Sequence, residues 1–314
     1  MKVLLTGAAG QLGQALIASQ PRCVAGGSLE LIATSRAGLD LADARACRAA
    51  VLEHRPDWVL NAGAYTAVDR AEAEPELAMA VNGGAPRALA EGLRELGRGQ
   101  LLQLSTDFVF DGHQGHPYAP DQPRRPLGVY GASKAAGEEA VQVLLGGGAE
   151  TGCAGRGFIL RTSWVYGPVG HNFCRTLLRL HRQRAQGGEP LRVVADQVGC
   201  PTSTAGLAAA CWRAIGVGLA PPADAALPPI LHWSDAGAAS WYDFAVAIGE
   251  LGVETGLLEQ AALVCPITTA DYPTPARRPS YSLLDCTASR QALALQPQHW
   301  RQALEQVLLQ LVAG

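Results

Sequence analysis

The sequence predicts an α/β protein built on a doubly wound parallel sheet, with a smaller lobe interleaved into it towards the C-terminus. Three observations carry this expectation. Short, nearly continuous apolar runs alternate with Ala-rich stretches of helical spacing through the first half of the 314 residues. A glycine triplet separates the first run from the first helical stretch. After Trp164 the alternation becomes irregular.

The elements follow in order. Strands are expected at Lys2–Thr6, Leu29–Thr34, Trp58–Asn61, Leu101–Ser105 and Phe158–Thr162, apolar throughout as strands covered on both faces must be. Helices are expected between them at Gln11–Ser19, Ala42–Glu53, Ala67–Val81, Ala85–Leu96 and Tyr130–Leu145. Phe173–Arg184, Thr204–Ile215 and Ser240–Leu251 read as helices of the second half. Gly146–Gly157 reads as a mobile surface loop, and Gly216–Pro229, rich in Ala, Pro and Gly, as a linker or crossover. The expected division is 1–163 and 164–314, with some segments of the second part returning to the sheet.

Composition narrows the function classes. An apolar fraction of 48% against 17% charged residues supports a large core and excludes a disordered chain. A net charge of −3 supplies no basic field, so neither nucleic acid nor a membrane surface is an expected partner. The first apolar run breaks at Gly7, too short for a signal-peptide core, and no run approaches the ~18 residues of a membrane span. The eight cysteines form no CxxC pair, so they read as reduced fillers in a cytoplasmic protein. His113 and His116 sit in a Gly/Pro loop with no nearby cysteine, and no metal site is expected.

In VLLTGAAGQLGQAL, Gly7, Gly10 and Gly13 lie between strand and helix. Glycines there permit a tight turn, close approach of a pyrophosphate to the backbone, and close helix–strand contact, while the helix N-terminus offers free N–H groups. The spacing is GxxGxxG rather than GxGxxG, so its weight comes from its place at the start of a βαβ pattern. A dinucleotide-binding, Rossmann-type domain follows. The second strand ends Thr34-Ser35-Arg36 without an acid. A carboxylate there would bond the ribose 2′-hydroxyl of NAD; Ser35 and Arg36 suit a 2′-phosphate instead, and Asp40 could meet the adenine amine. NADPH is the expected cofactor, with NADH as the alternative.

Tyr130 and Lys134 form a YxxxK pair at the start of a helical stretch, which puts both on one helix face. A neighbouring ammonium should lower a phenol pKa and fit it for acid–base work. Lys134 is one of only two lysines, with Lys2, among 25 basic residues. Ser105, Thr106 and Asp107 lie at the carboxyl end of the fourth strand, where ligands of open α/β sheets bind. Arg277 and Arg278, between Pro275 and Pro279, could grip a diphosphate bidentately.

The segments TGAAGQLG, NAGAYTAVDRAE, STDFVFDG, VYGASKAAGE, LRTSWVYG, NFCRTLLRL, DQVGCPTS, SWYDFA and YPTPARRPSYSLLD, spanning residues 6 to 285, carry a resemblance. The chain resembles the extended short-chain dehydrogenase/reductases of the dTDP-4-dehydrorhamnose reductase family. The resemblance implies NADPH-dependent reduction of the C4 ketone of dTDP-4-dehydro-L-rhamnose, with Thr106, Tyr130 and Lys134 as the catalytic set. It implies further that Gly10, Gln11 and Leu12 line the pyrophosphate and that Gly63, Ala64 and Tyr65 flank the nicotinamide-side ribose. Leu41 joins the cofactor set, and Asp107 and Trp164 contact the dTDP-sugar. A homodimer stays open. A 4,6-dehydratase is disfavoured because Phe108 follows Asp107 where those enzymes carry a second acid. A nucleotide-sugar epimerase, or an NADP-binding regulatory subunit like that of methionine adenosyltransferase, remains an alternative.

Overall fold

Alternating side chains along each apolar run feed two cores at once, and this decides how the sheet is covered. The computed structural model describes residues 1–147, 155–185, 187–220 and 226–313. Among these, β1 (Lys2–Thr6), β2 (Glu30–Thr34), β3 (Trp58–Asn61), β4 (Gln100–Thr106), β5 (Gly157–Thr162) and β6 (Ile230–His232) form one parallel sheet in the order β6-β5-β4-β3-β1-β2. Val3, Leu5, Trp58, Leu60, Leu102, Leu104, Phe158 and Leu160 enter the core on one face. Leu4, Val59 and Leu101, one residue out of step, enter the core on the other. That is the period-2 alternation of a strand buried on both sides.

The chain leaves β1 towards β2 at the edge, then returns to place β3 on the opposite side of β1. This reversal opens a crevice at the carboxyl ends of β1 and β3. α1 (Gln11–Ala18) covers one face; α2 (Ala44–His54), α3 (Ala85–Leu96) and α4 (Val129–Leu145) cover the other. α3 shows why these segments are helices: Ala85, Ala88, Leu89, Gly92 and Leu93 are buried at helical spacing.

The second half is interleaved. α6 (Thr204–Leu219), β6 and α8 (Thr287–Leu293) return to the sheet, where Leu207, Leu231 and Leu293 join its core. α5 (Phe173–Arg184), α7 (Trp241–Glu254) and α9 (Trp300–Ala313) build a separate core from Cys174, Leu177, Phe244, Ile248, Leu304 and Leu308. The strands Leu191–Val194 and Val264–Ile267 pair in parallel beside it.

Two expectations change. Ala67–Val81 is not one helix: it splits into Val68–Ala71 and Pro75–Met79, the latter continuing as a π-helical turn at Ala80–Gly84. Pro75 has no N–H to donate and disfavours helical geometry at Glu74, so the chain restarts there. Gly216–Leu219, expected to open a linker, instead extends α6. Residues 221–225 of that linker, and 148–154 of the expected mobile loop with Cys153, lie outside the described residues. β6, α8 and α9 were not located from sequence.

One charged pair lies wholly inside. Arg161 of β5 donates to Glu138 of α4 from Nε at 2.9 Å and Nη2 at 2.7 Å, and both residues are buried. The Phe110 ring lies 5.0 Å from the guanidinium. The His232 ring nitrogen sits 3.2 Å from Arg161, and burial together with that positive charge pushes the imidazole down to about 3. Removing one partner strands the other charge. Glu138→Ala should therefore lower the unfolding free energy by about 3–5 kcal/mol, read from urea denaturation midpoints. A loss under ~1 kcal/mol would mean that water reaches the guanidinium.

Candidate active site

The carboxyl edge of the sheet is held by a buried polar chain. The Thr6 hydroxyl donates to Asn61 Oδ1 at 2.5 Å, Asn61 Nδ2 to Gln103 Oε1 at 2.6 Å, and Gln103 Nε2 to the Leu104 carbonyl at 2.7 Å. Thr6, Asn61 and Gln103 face one another in register across β1, β3 and β4. The chain also catches the next loop, since Gly63 N–H donates to Thr6 Oγ1 at 3.3 Å.

Above this edge lies the glycine turn. Gly7 has φ +69°, and a Cβ there would come within 2.6 Å of Gly63. A Cβ on Gly13 would come within 2.2 Å of the Gly7 carbonyl. Gly10 caps α1 with no side chain, which leaves the first N–H groups of the helix open to an anion.

A cleft of about 730 Å³ runs from this turn across the edge. It is lined by Gly7, Gly10, Gln11, Leu12, Arg36, Asp40, Leu41, Gly63, Ala64 and Tyr65 of the expected cofactor set. Thr106, Asp107, Tyr130, Lys134, Trp164 and Arg278 line it too. Gly13 packs behind the turn, Ser35 lies beside the cleft rather than in its wall, and Arg277 is exposed outside it. The donor set fits a dinucleotide: a cradle that any Cβ would fill, a free helix N-terminus, and a guanidinium at the end of β2.

α4 brings the reactive groups to the edge. Its first N–H, on Val129, donates to Glu72 Oε1 at 2.9 Å. Gly131 lets the helix close on residue 108, because a Cβ there would lie 2.2 Å from the Phe108 carbonyl. Asn82, in the π-helical turn, donates to Ser133 Oγ at 3.0 Å and to the Tyr65 carbonyl at 2.9 Å, tying α4 to the Gly63–Tyr65 loop.

The protonation states differ from the sequence expectation. Burial pushes the Tyr130 phenol up to about 12, the Asp107 charge adds to this, and a Thr106 hydrogen bond acts against it. Lys134 does not bring the phenol down: its ammonium is buried and donates to the Leu104 carbonyl at 2.6 Å. Burial pulls that ammonium down to about 8, against the opposing charge of Glu138. The Thr106 hydroxyl donates to Asp107 Oδ1 at 3.0 Å and accepts from Phe108 N–H at 3.2 Å. Ser105 Oγ, Asp107 Oδ2 and Thr162 Oγ1 are buried in the cleft wall without a hydrogen-bond partner among the described residues. Such groups are costly unless a ligand serves them.

Opposite the edge, Trp164 stacks on Trp241 with ring centroids 3.5 Å apart and planes at 4°. Trp164 takes a left-handed backbone, φ +46°, rare for a bulky residue. Ser105 stands where the sequence places it, at the strand end, whereas Trp241, Asp69 and Thr162 were not singled out from sequence. A Trp at a helix start reads as core, and no local signal marks Asp69.

A glycine cradle, a YxxxK helix and a strand-end threonine around one crevice define a nicotinamide-dependent oxidoreductase of the short-chain dehydrogenase/reductase type. The family described as RmlD substrate binding domain matches residues 1–313. The chain is 43% identical over 304 residues to a dTDP-4-dehydrorhamnose reductase of Streptomyces griseus, covering 96% of this chain and 91% of that one. It is 38% identical over 310 residues to the enzyme of that name from Aggregatibacter actinomycetemcomitans, covering 98% of each. The crystal structure of Bacillus anthracis dTDP-4-dehydrorhamnose reductase in complex with NADP superposes with a TM-score of 0.84 at 31% identity, covering 98% of this chain and 99% of that one. The chain belongs to the dTDP-4-dehydrorhamnose reductase family.

Asp107 gives the site a pH signature. Burial pushes its carboxyl from 3.8 up to about 6, with Ser282 and Thr106 hydrogen bonds acting against this. Between those values the folded state holds a proton that the unfolded chain has released, so stability falls as pH rises through the window and stays lower above it. Asp107→Asn should therefore melt above the wild type at pH 7.5, by about 2–4 °C for each kcal/mol recovered, and the gap should close near pH 4. A variant that melts lower at pH 7.5 would show that the carboxylate is better served than its burial implies.

Proposed function

We propose that the protein reduces the C4 ketone of dTDP-4-dehydro-L-rhamnose to dTDP-L-rhamnose with NADPH. The observation that carries this reading is the meeting of Thr106, Tyr130 and Lys134 with the glycine cradle in one cleft. Bound there, NADPH supplies the hydride for C4. Tyr130 supplies the proton for the C4 oxygen, and its raised pKa keeps that proton in place at neutral pH. Thr106 orients the carbonyl oxygen, which requires its hydroxyl to turn from Asp107 Oδ1. Lys134, braced on the Leu104 carbonyl, keeps donors for the nicotinamide-side ribose.

Gly10, Gln11 and Leu12 hold the pyrophosphate, and Gly63, Ala64, Tyr65 and Leu41 shape the remaining cofactor wall. Arg36, with Ser35 beside it, takes the 2′-phosphate, while Asp40 reaches the adenine. Asp107, Trp164 and Arg278 face the sugar nucleotide. Residues 1–163 carry the cofactor and most of 164–314 the substrate. The reading places the enzyme in the cytoplasm, where the seven free cysteines of the described residues stay reduced. Mixing the pure protein with NADPH and the keto sugar should remove the nicotinamide absorbance and give dTDP-L-rhamnose by NMR. NADPH binding without turnover would overturn the proposal.

Two substitutions test the roles. Tyr130→Phe keeps the ring and loses the proton, so kcat should fall roughly 10²–10⁴-fold with NADPH affinity little changed. Retention of more than about a tenth of kcat would place the donor elsewhere. Arg36 is exposed, with only a 4.0 Å approach to Asp40, and so is available to a phosphate. Arg36→Ala should lower kcat/KM for NADPH by at least ~10-fold and leave that for NADH unchanged. Equal losses with both cofactors would remove Arg36 from the 2′-phosphate site.

A further inference from the structure

Asp69 and Arg278 lie 209 residues apart in sequence and meet at the rim of the cleft. Arg278 Nη1 donates to Asp69 Oδ1 at 3.0 Å and Nη2 to Oδ2 at 2.7 Å, a paired end-on contact. Nη1 gives its other hydrogen to Thr274 Oγ1 at 2.5 Å. Asp69 Oδ1 also accepts from the Ala276 N–H at 3.3 Å, so one carboxylate fixes both the guanidinium and the backbone that carries it.

A guanidinium has five N–H donors in a rigid plane. Both Nη1 hydrogens and one on Nη2 are engaged, and the remaining two are on Nε and Nη2. These form the second, side-on fork of the group, and neither meets an acceptor among the described residues. Two parallel N–H donors on one edge match two oxygens of a phosphate. Arg278 is mostly buried while Asp69 keeps about two-fifths of its side chain exposed. Water therefore screens the carboxylate at the outer edge more than the fork.

We infer that Asp69 is a positioning residue that pins Arg278 end-on, so that its side-on fork takes one phosphate of the nucleoside diphosphate. The inference rests on the sugar-nucleotide reading above and names the group that would recognise the diphosphate. Asp69 lies in the first turn of the short helix Val68–Ala71, which follows the Gly63–Tyr65 loop, so the cofactor side of the cleft sets where the substrate arginine stands. Arg277, exposed and outside the cleft, has no part in it.

The test measures dTDP affinity by calorimetry in the presence of NADP⁺, alongside KM and kcat for the keto sugar nucleotide. Asp69→Asn cannot pair with both Nη groups, and it should weaken dTDP binding and raise KM by ~10-fold, with kcat within about threefold and NADPH affinity unchanged. Arg278→Lys keeps the charge and loses the fork, so it should weaken dTDP at least as much. Unchanged dTDP affinity in both variants would overturn the inference while leaving the reductase reading intact. Tighter binding by Asp69→Asn would also overturn it, because Asp69 would then be a competitor of the phosphate. A wild type that binds no dTDP at all would overturn the reductase reading and this inference with it.

Discussion

Everything at the active edge hangs from one polar stripe on α4, half-buried at Tyr130 and fully buried at Lys134 and Glu138. Tyr130, Lys134 and Glu138 recur every four residues and so face the sheet one turn apart. Tyr130 meets the strand-end hydroxyl of Thr106, Lys134 holds the Leu104 carbonyl of β4, and Glu138 takes the Arg161 guanidinium of β5. A helix sliding by one turn would strand an ammonium, a carboxylate and a guanidinium at once, each costing several kcal/mol. Register is thus set by charge, while apolar burial supplies the adhesion. Small residues at the contact make the stripe reachable, which is why this helix is rich in Gly and Ala rather than Leu.

The opposite wall is organised differently. There the cleft is closed by aromatic faces and by chain segments that meet only in the folded state. Trp164 is driven into a left-handed backbone and lies flat on Trp241, whose indole N–H donates to Gln197 at 3.2 Å. Phe173 backs Trp241 from 4.7 Å. A flat indole surface suits the C–H faces of a pyranose ring, as buried aromatic area does generally. The rigid edge thus presents hydroxyls, a carboxylate and an ammonium, and the lobe presents apolar faces and one oriented guanidinium.

How far the sequence revealed this depends on whether a feature is local. β1 and β3 were placed to the residue, and β4 and β5 to within one, because period-2 burial on both faces leaves a nearly continuous apolar run; the edge strand β2, only partly buried, was placed to within one by its apolar centre Leu31–Ala33. β6 escaped because three residues beside a Pro-rich stretch carry no period. The broken helix at Val68–Met79 was foreshadowed by Pro75, whose effect the amphipathic pattern masked. Tyr130 and Lys134 stood out because lysine is scarce and the spacing is short. Asp69 could not stand out, since its partner lies 209 residues away. Nor could sequence separate Arg277 from Arg278: one is exposed and the other lines the cleft, a distinction made by the irregular chain between two prolines.

The unpaired groups tell what the folded chain gives up for this arrangement. The Thr106 hydroxyl donates its proton to Asp107 Oδ1, while Asp107 Oδ2, Ser105 Oγ and Thr162 Oγ1 stay buried without a hydrogen-bond partner among the described residues. A purely structural edge would have filled these positions with apolar groups at a gain in stability. Their cost is the free energy that a polyhydroxylated ligand can recover by supplying donors and acceptors at the same points. A sugar hydroxyl given to Asp107 Oδ2 would add a donor to the carboxylate and loosen its hold on the Thr106 proton. That proton would then be free to meet the carbonyl oxygen beside the Tyr130 phenol. With three buried oxygens unpartnered among the described residues, the site is in this way incomplete until a ligand supplies hydrogen bonds at those points.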